Sequence, residues 1–258
     1  MLDNQTLDKL REMRLTGMLE AYVAQCQQPD IASLSFEERF GLLVDHEATY
    51  RKNRRLARLL GEAKLRLEAC VEDIRYHGGR GLERGLMQTL SACDWIDQGR
   101  RVLITGPTGA GKTYIACALG HAACRRGYRT RYFRLSRFLE TITLARADGS
   151  YPRLLGRLAK TDLLILDDWG LAPLSAHEAR EILEVLDDRT DRRATVIASQ
   201  VPADAWHGLL GDPTVADAIL DRLVHGSFRL NLRGESMRKT LQDEPHEPTE
   251  DGDEATAS

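Results

Sequence analysis

Eight consecutive residues restrict this chain more than any other stretch. Gly106, Pro107, Thr108, Gly109, Ala110, Gly111, Lys112 and Thr113 fit G-x-x-x-x-G-K-[ST] without a mismatch. Glycines at this spacing let the backbone turn tightly and aim successive N–H groups at phosphate oxygens. A helix opening at Lys112 adds the positive end of its dipole. Lys112 supplies a point charge for β- and γ-phosphates, and the Thr113 hydroxyl is a ligand for Mg²⁺. Tyr114, in the first helical turn, completes the expected binding stretch.

Such a loop needs a strand before it and a helix after it, and the flanking sequence supplies both. Runs of strand length at 101–105, 130–135, 162–167, 195–199 and 228–232 alternate with helical periods that begin near 112, 136, 175 and 203. One face of the 175–189 period carries Ala179, Ile182, Leu183 and Leu186. Apolar strands alternating with helices specify an α/β domain, a parallel sheet covered on both faces, over 100–242.

Residues 1–70 contain helical periods and no strand signal, so they form a small all-α N-terminal domain. One helix is expected over 5–28, ending before Pro29 and Asp30. A second is opened by a Ser35/Glu38 capping box. Its first half is expected to bury Phe36, Phe40, Leu43 and Val44, and its second half Leu56, Leu59, Leu60 and Ala63. The glycine-rich stretch 76–85 places a linker or docking segment at 71–99.

Charge separates one more piece. The seven acids between Asp243 and Glu254, with no Lys or Arg among them, leave residues 1–242 at +4 although the whole chain is at −3. An acidic segment so poor in apolar residues cannot offset its ordering entropy, and 243–258 is expected to be a disordered tail. No run is long and apolar enough to span a membrane, and the first residues do not read as a signal peptide. Five cysteines without a C-x-x-C pair fit a reducing cytoplasm better than a disulfide or zinc framework.

A phosphate loop calls for a carboxylate at the end of another buried strand. DLLILDD provides Asp167 for the Mg²⁺ side, with Asp168 beside it to polarise an attacking water or to serve as a supporting acid. No side chain in this set is a catalytic nucleophile, so phosphoryl transfer to water is the chemistry it suits. The seven histidines are scattered and suggest no metal site. Arg51, Lys52, Arg54, Arg55 and Arg58 place five cations in eight residues with no acid among them. They form either a phosphate-attracting patch or a solvated helix face.

The run GPTGAGKTYIACALGHAACRRGY, followed in order by LARADGSY, LLILDDWGLAPL, GDPTVADAILDRLVH and GESMRK, resembles the IstB-type transposition helper ATPases over roughly 7–240. These belong to the initiator clade of AAA+ proteins, beside the DnaC-type helicase loaders. The resemblance implies an ATPase that binds ATP and Mg²⁺ and works as a homo-oligomer on double-stranded DNA with little sequence preference. Its implied partner is a cognate transposase. It implies that Gln200 senses the γ-phosphate, that Arg222 is an arginine finger reaching a neighbour's ATP, and that Arg238 is a second sensor within the same subunit. Asparagine is commoner at the Gln200 position and glutamate at the Asp168 position. The lid that normally carries the second sensor is nearly absent. Arg146, Arg153, Arg157 and Lys160 fall where initiator-type ATPases insert a helix facing a DNA channel. A helicase loader and an ATP-switched DNA-architecture protein with little turnover remain alternatives, as does a strand-end role for Gln200 and a local ion pair for Arg222.

Overall fold

The structure, a computed structural model, describes residues 2–76 and 79–234. Arg238 and the acidic tail lie outside the described residues. Five strands, β1 (Arg101–Thr105), β2 (Thr130–Arg134), β3 (Leu163–Trp169), β4 (Ala194–Ser199) and β5 (Phe228–Asn231), form one sheet in the order β2-β3-β4-β1-β5. Every neighbouring pair is parallel. All five carboxyl ends therefore meet at one edge of the sheet, the edge where ligands bind in open α/β folds.

The period-2 alternation of the strands divides the core in two. Val102, Ile104, Leu163, Ile165, Val196 and Ala198 face a layer that contains Ile115, Leu119, Met87, Leu90 and Trp95. These come from α6 (Lys112–Arg125), α4 (Arg84–Ser91) and the short α5 (Asp94–Asp97). Leu103, Leu164, Leu166 and Ile197 face the other layer with Phe138, Ile142, Leu154, Ile182, Trp206 and Ile219. That layer is built from α7 (Leu135–Ala147), α8 (Tyr151–Ala159), α9 (Ala176–Arg189) and α10 (Pro213–Val224). Within the segment expected to link or dock, Met87, Leu90, Trp95 and Ile96 are buried in the α/β core.

The N-terminal region departs from expectation twice. The helix expected over 5–28 is two, α1 (Leu2–Glu12) and α2 (Thr16–Gln27), divided at Arg14, whose φ is 57°. The break lets α2 cross α3 (Phe36–Ala63) at Gly17, where a Cβ would lie 2.6 Å from that of Tyr50. Glu47 of α3 accepts from the Met18 amide at 3.0 Å, meeting an N–H that the start of α2 leaves without a helical partner. The Ser35/Glu38 capping box is present.

The second departure concerns packing. Phe36 is 74% exposed and Phe40 50% exposed, Val44 is also open and Leu43 only half-buried, so the first half of α3 does not bury the face assigned to it. A helix of 28 residues is about 42 Å long and outreaches the α/β body. Only its second half meets α6, where Leu59 and Ala63 pack on Cys124.

Arg189, in the last turn of α9, is almost wholly buried at the amino edge of the sheet. Its guanidinium donates to the carbonyls of Leu158 at 2.6 Å, Thr161 at 2.9 Å and Ala194 at 2.5 Å. Burial, reinforced by the neighbouring Arg193 charge, pushes its pKa down, while Asp162 opposes this. Because three carbonyls would lose a charged donor, Arg189→Met is expected to lower the unfolding free energy by about 3 kcal/mol in urea titrations. Arg193→Ala, which removes a more exposed pair with Asp162, is expected to cost under about 1 kcal/mol. Equal midpoint shifts for the two variants would contradict the anchoring role.

Candidate functional site

The site is assembled where the strand ends converge. Register places Thr105 beside Ser199 of β4 and Asn231 of β5. The chain then leaves β1 through residues 106–111 and enters α6 at Lys112. Gly111 has φ 91°, a left-handed conformation that turns the backbone into the helix. Lys112 curls back over the loop, and its Nζ donates to the Gly106 and Pro107 carbonyls, each at 2.8 Å. Burial lowers its pKa, and the charges of Asp167 and Asp168 partly offset this. The ammonium thus sits in the cradle with neutral partners only, a setting in which an anion gains a strong charge-assisted bond.

Asp167 ends the run of buried residues in β3 and is itself only 1% exposed. A buried carboxylate needs donors, and three elements provide them. Its Oδ2 accepts from the Thr113 hydroxyl at 2.7 Å and from the Tyr132 hydroxyl at 2.7 Å. The Asp168 amide donates to its Oδ1 at 2.8 Å. Burial first, and the Asp167 charge second, raise the Tyr132 pKa, which keeps that phenol a donor. Thr113 and Asp167 thus present a hydroxyl and a carboxylate at one point, a hard-oxygen pair that suits Mg²⁺. The glycine turn, the helix start and Lys112 suit a polyphosphate.

Asp168 takes φ 59°, a left-handed conformation that costs a non-glycine residue about 1 kcal/mol or more. It lies at the register shift of β3 against β4 between Leu166 and Trp169, and its Oδ2 is 3.8 Å from the Arg66 guanidinium. Gln200, just past β4, accepts from the Thr108 hydroxyl at 2.7 Å and so touches the phosphate loop directly. Lys112, Thr113, Asp167, Asp168 and Gln200 are therefore brought together.

Arg222 is not among them. The Arg101 side chain, at the start of β1, donates to the Arg222 carbonyl at 2.5 Å, so the residue lies at the opposite edge of the sheet from the loop. The five residues of β1 span about 16 Å. Its guanidinium pairs with Asp187 of α9 and donates to the Ala218 carbonyl at 2.7 Å. The local ion pair foreseen as an alternative is present, and Arg222 cannot serve its own loop.

The basic segments are also redistributed. Glu47 and Glu62 lie one turn outside the Arg51–Arg58 run and pair with its two ends, Arg51 at 2.6 Å and Arg58 at 3.9 Å. Arg55 donates to the Gly127 carbonyl at 3.2 Å. Lys52 and Arg54 remain exposed. Arg146 is turned onto Glu181 and Glu184 and stacks over Tyr151. Arg153, Arg157 and Lys160 stay on the exposed side of α8 or at its end.

Three side chains at the site were not singled out from sequence. Tyr132 belongs to the apolar alternation of β2, and only the sheet order puts it beside Asp167. Arg66 follows α3 and reaches the acids through the fold. Arg80 had one signal, its place in the glycine-rich stretch, and that stretch reads equally as a linker.

Comparison with known proteins agrees with this geometry. Residues 8–244 match the family described as IstB-like ATP binding protein. An insertion-sequence ATP-binding protein of Sinorhizobium fredii, y4pL, is 48% identical over 93% of this chain and 98% of its own length. The corresponding protein of the IS1162 element of Pseudomonas fluorescens is 48% identical over 83% of this chain and 92% of its own. In fold, the chain resembles the DnaC helicase loader, with a TM-score of 0.54 at 18% identity over 64% of this chain and 96% of that one. It also resembles AMPPCP-bound DnaA from Aquifex aeolicus, with a TM-score of 0.55 at 19% identity over 69% and 54%. A five-stranded parallel sheet, a phosphate loop facing a buried acid and a match along nearly the whole chain lead to one conclusion: the protein belongs to the IstB-like ATP-binding family of IS21-type insertion sequences.

Proposed function

We propose that this chain is an ATP-dependent, DNA-binding ATPase that assembles on target duplex DNA and assists a cognate transposase. The observation that carries the reading is the separation of Arg222 from the phosphate loop. One chain holds the binding half of a hydrolytic site at the carboxyl edge of its sheet and an arginine at the amino edge. Two copies placed edge to edge would complete the site, with Arg222 exchanging Asp187 for the nucleotide of its neighbour. Occupancy of the seam would then favour the oligomer.

Within one copy, Lys112 and the amides of 109–113 hold the phosphates. Thr113 and Asp167 hold Mg²⁺, which supplies charge neutralisation on the phosphate oxygens. Asp168 is the acceptor for a proton of the attacking water. Gln200, already bonded to Thr108, is placed to report on the terminal phosphate.

Duplex DNA would be met through phosphate contacts, for which Arg153, Arg157 and Lys160 on α8 and Lys52 and Arg54 on α3 are the exposed cations. None of these forms a base-reading motif, so sequence preference is expected to be slight. The insertion-sequence relatives favour a transposase over a replicative helicase as the partner.

Three outcomes follow from this arrangement. Lys112→Ala is expected to weaken ATP binding by about a hundredfold or more in equilibrium titration, since a buried charge-assisted contact is lost. Arg222→Ala is expected to keep ATP affinity within about twofold but lose about a thousandfold in turnover, as arginine fingers do. Mixing it with Lys112→Ala protein should restore part of the phosphate release, because each variant supplies what the other lacks. No restoration, with both variants folded, would place Arg222 outside the reaction. Arg153→Glu with Arg157→Glu is expected to weaken duplex binding and flatten the slope of affinity against salt, while Arg146→Ala leaves that slope unchanged.

A further inference from the structure

Among the described residues, one arginine beside the phosphate loop has no role in the account above. Arg80 belongs to the segment that runs into α4, and it is as buried as Lys112, each 8% exposed. One guanidinium nitrogen donates to the Ala110 carbonyl of the phosphate loop at 3.2 Å, and the other to the Arg75 carbonyl at 2.6 Å. The third, Nε, is buried without a hydrogen-bond partner. A Cβ on Gly111 would lie 2.5 Å from the Arg80 guanidinium, so the group occupies the space that this glycine leaves open. No carboxylate pairs with it among the described residues, and burial lowers its pKa.

A buried cation without a counter-charge is costly. Arg189 offsets that cost by donating to three carbonyls, whereas Arg80 has two and keeps a buried Nε unmatched, leaving capacity for an anion beside the loop. The only anion this loop is built to receive is the polyphosphate. The backbone around Arg80 is fixed as well. Its carbonyl accepts from the Arg233 amide at 2.8 Å, and the Leu232 amide donates to the Thr105 carbonyl at 2.7 Å. The end of β5, the Arg80 segment and the phosphate loop therefore form one hydrogen-bonded unit.

We propose that Arg80 is a second cation of the nucleotide site, held against Ala110 and Gly111 in readiness for phosphate charge. The proposal rests on the ATP-binding reading of Lys112, but it can fail while that reading stands. A strap that only supports the loop would show its effect in the nucleotide-free protein. A cation waiting for an anion would show it when nucleotide binds.

The test uses the full chain with Arg80→Met and Arg80→Lys, and with Lys112→Ala as the control for nucleotide binding. Melting is followed with and without MgATP, and ATP affinity is titrated from low to high salt. The expected result is an Arg80→Met ATP affinity weaker by about tenfold or more, as for loss of one charged hydrogen bond, whatever the change in melting point without nucleotide. Its salt dependence should be shallower, and Arg80→Lys should recover part of the affinity. If Arg80→Met does not fold, Arg80→Lys carries the test, since loss of the planar fork should still weaken ATP binding several-fold. A lower melting point without nucleotide combined with unchanged ATP affinity and salt dependence would overturn the proposal. So would an Arg80→Lys protein that binds ATP like the parent. In either case a Lys112→Ala protein that no longer binds ATP would leave the site reading intact.

Discussion

The buried carboxylate of Asp167 is the constraint on which the rest of the site depends. A charge that is 1% exposed must be matched by donors, and here they come from α6, from β2 and from the turn at the end of β3. That requirement fixes the Thr113 hydroxyl, sets the Tyr132 phenol against the sheet edge and helps hold Asp168 in its left-handed turn. The parallel sheet makes it possible, because β1 and β3 end at the same edge although β4 lies between them. What results is a site in which the oxygens proposed to hold a cation are fixed before any ligand arrives.

Much of this was legible in the sequence. All five strands lie within two residues of their expected bounds: β1, β3 and β4 are short runs rich in apolar residues, and β2 and β5 set aromatic or aliphatic residues among polar ones. Lys112, Thr113, Asp167 and Asp168 converge because a phosphate loop after a strand and an acid at another strand's end leave one arrangement in a parallel sheet, while Gln200, pointed to by the family resemblance alone, joins them from the end of β4. The capping box at Ser35 is local chemistry and was likewise readable.

What was not legible depends on distance in sequence. The apolar face of Phe36 and Phe40 has helical period but stays exposed among the described residues, since periodicity says which residues share a face and not whether anything covers it. The break at Arg14 follows from the close crossing of α2 on α3, which no local propensity announces. Glu47 and Glu62 neutralise two of the five cations in the Arg51–Arg58 run because helical neighbours are three and four residues apart, outside the window that drew attention to the run. Arg80 and Tyr132 reach the site only through tertiary contacts.

The opposed placement of Arg222 and the phosphate loop makes assembly the centre of the account. The direct measurement is sedimentation of the purified chain with Mg²⁺, a non-hydrolysable ATP analogue and duplex DNA, against the same mixture without nucleotide. The account predicts a multi-subunit complex on the duplex only when the analogue is present. A chain that remains single at high concentration under all of these conditions would contradict it.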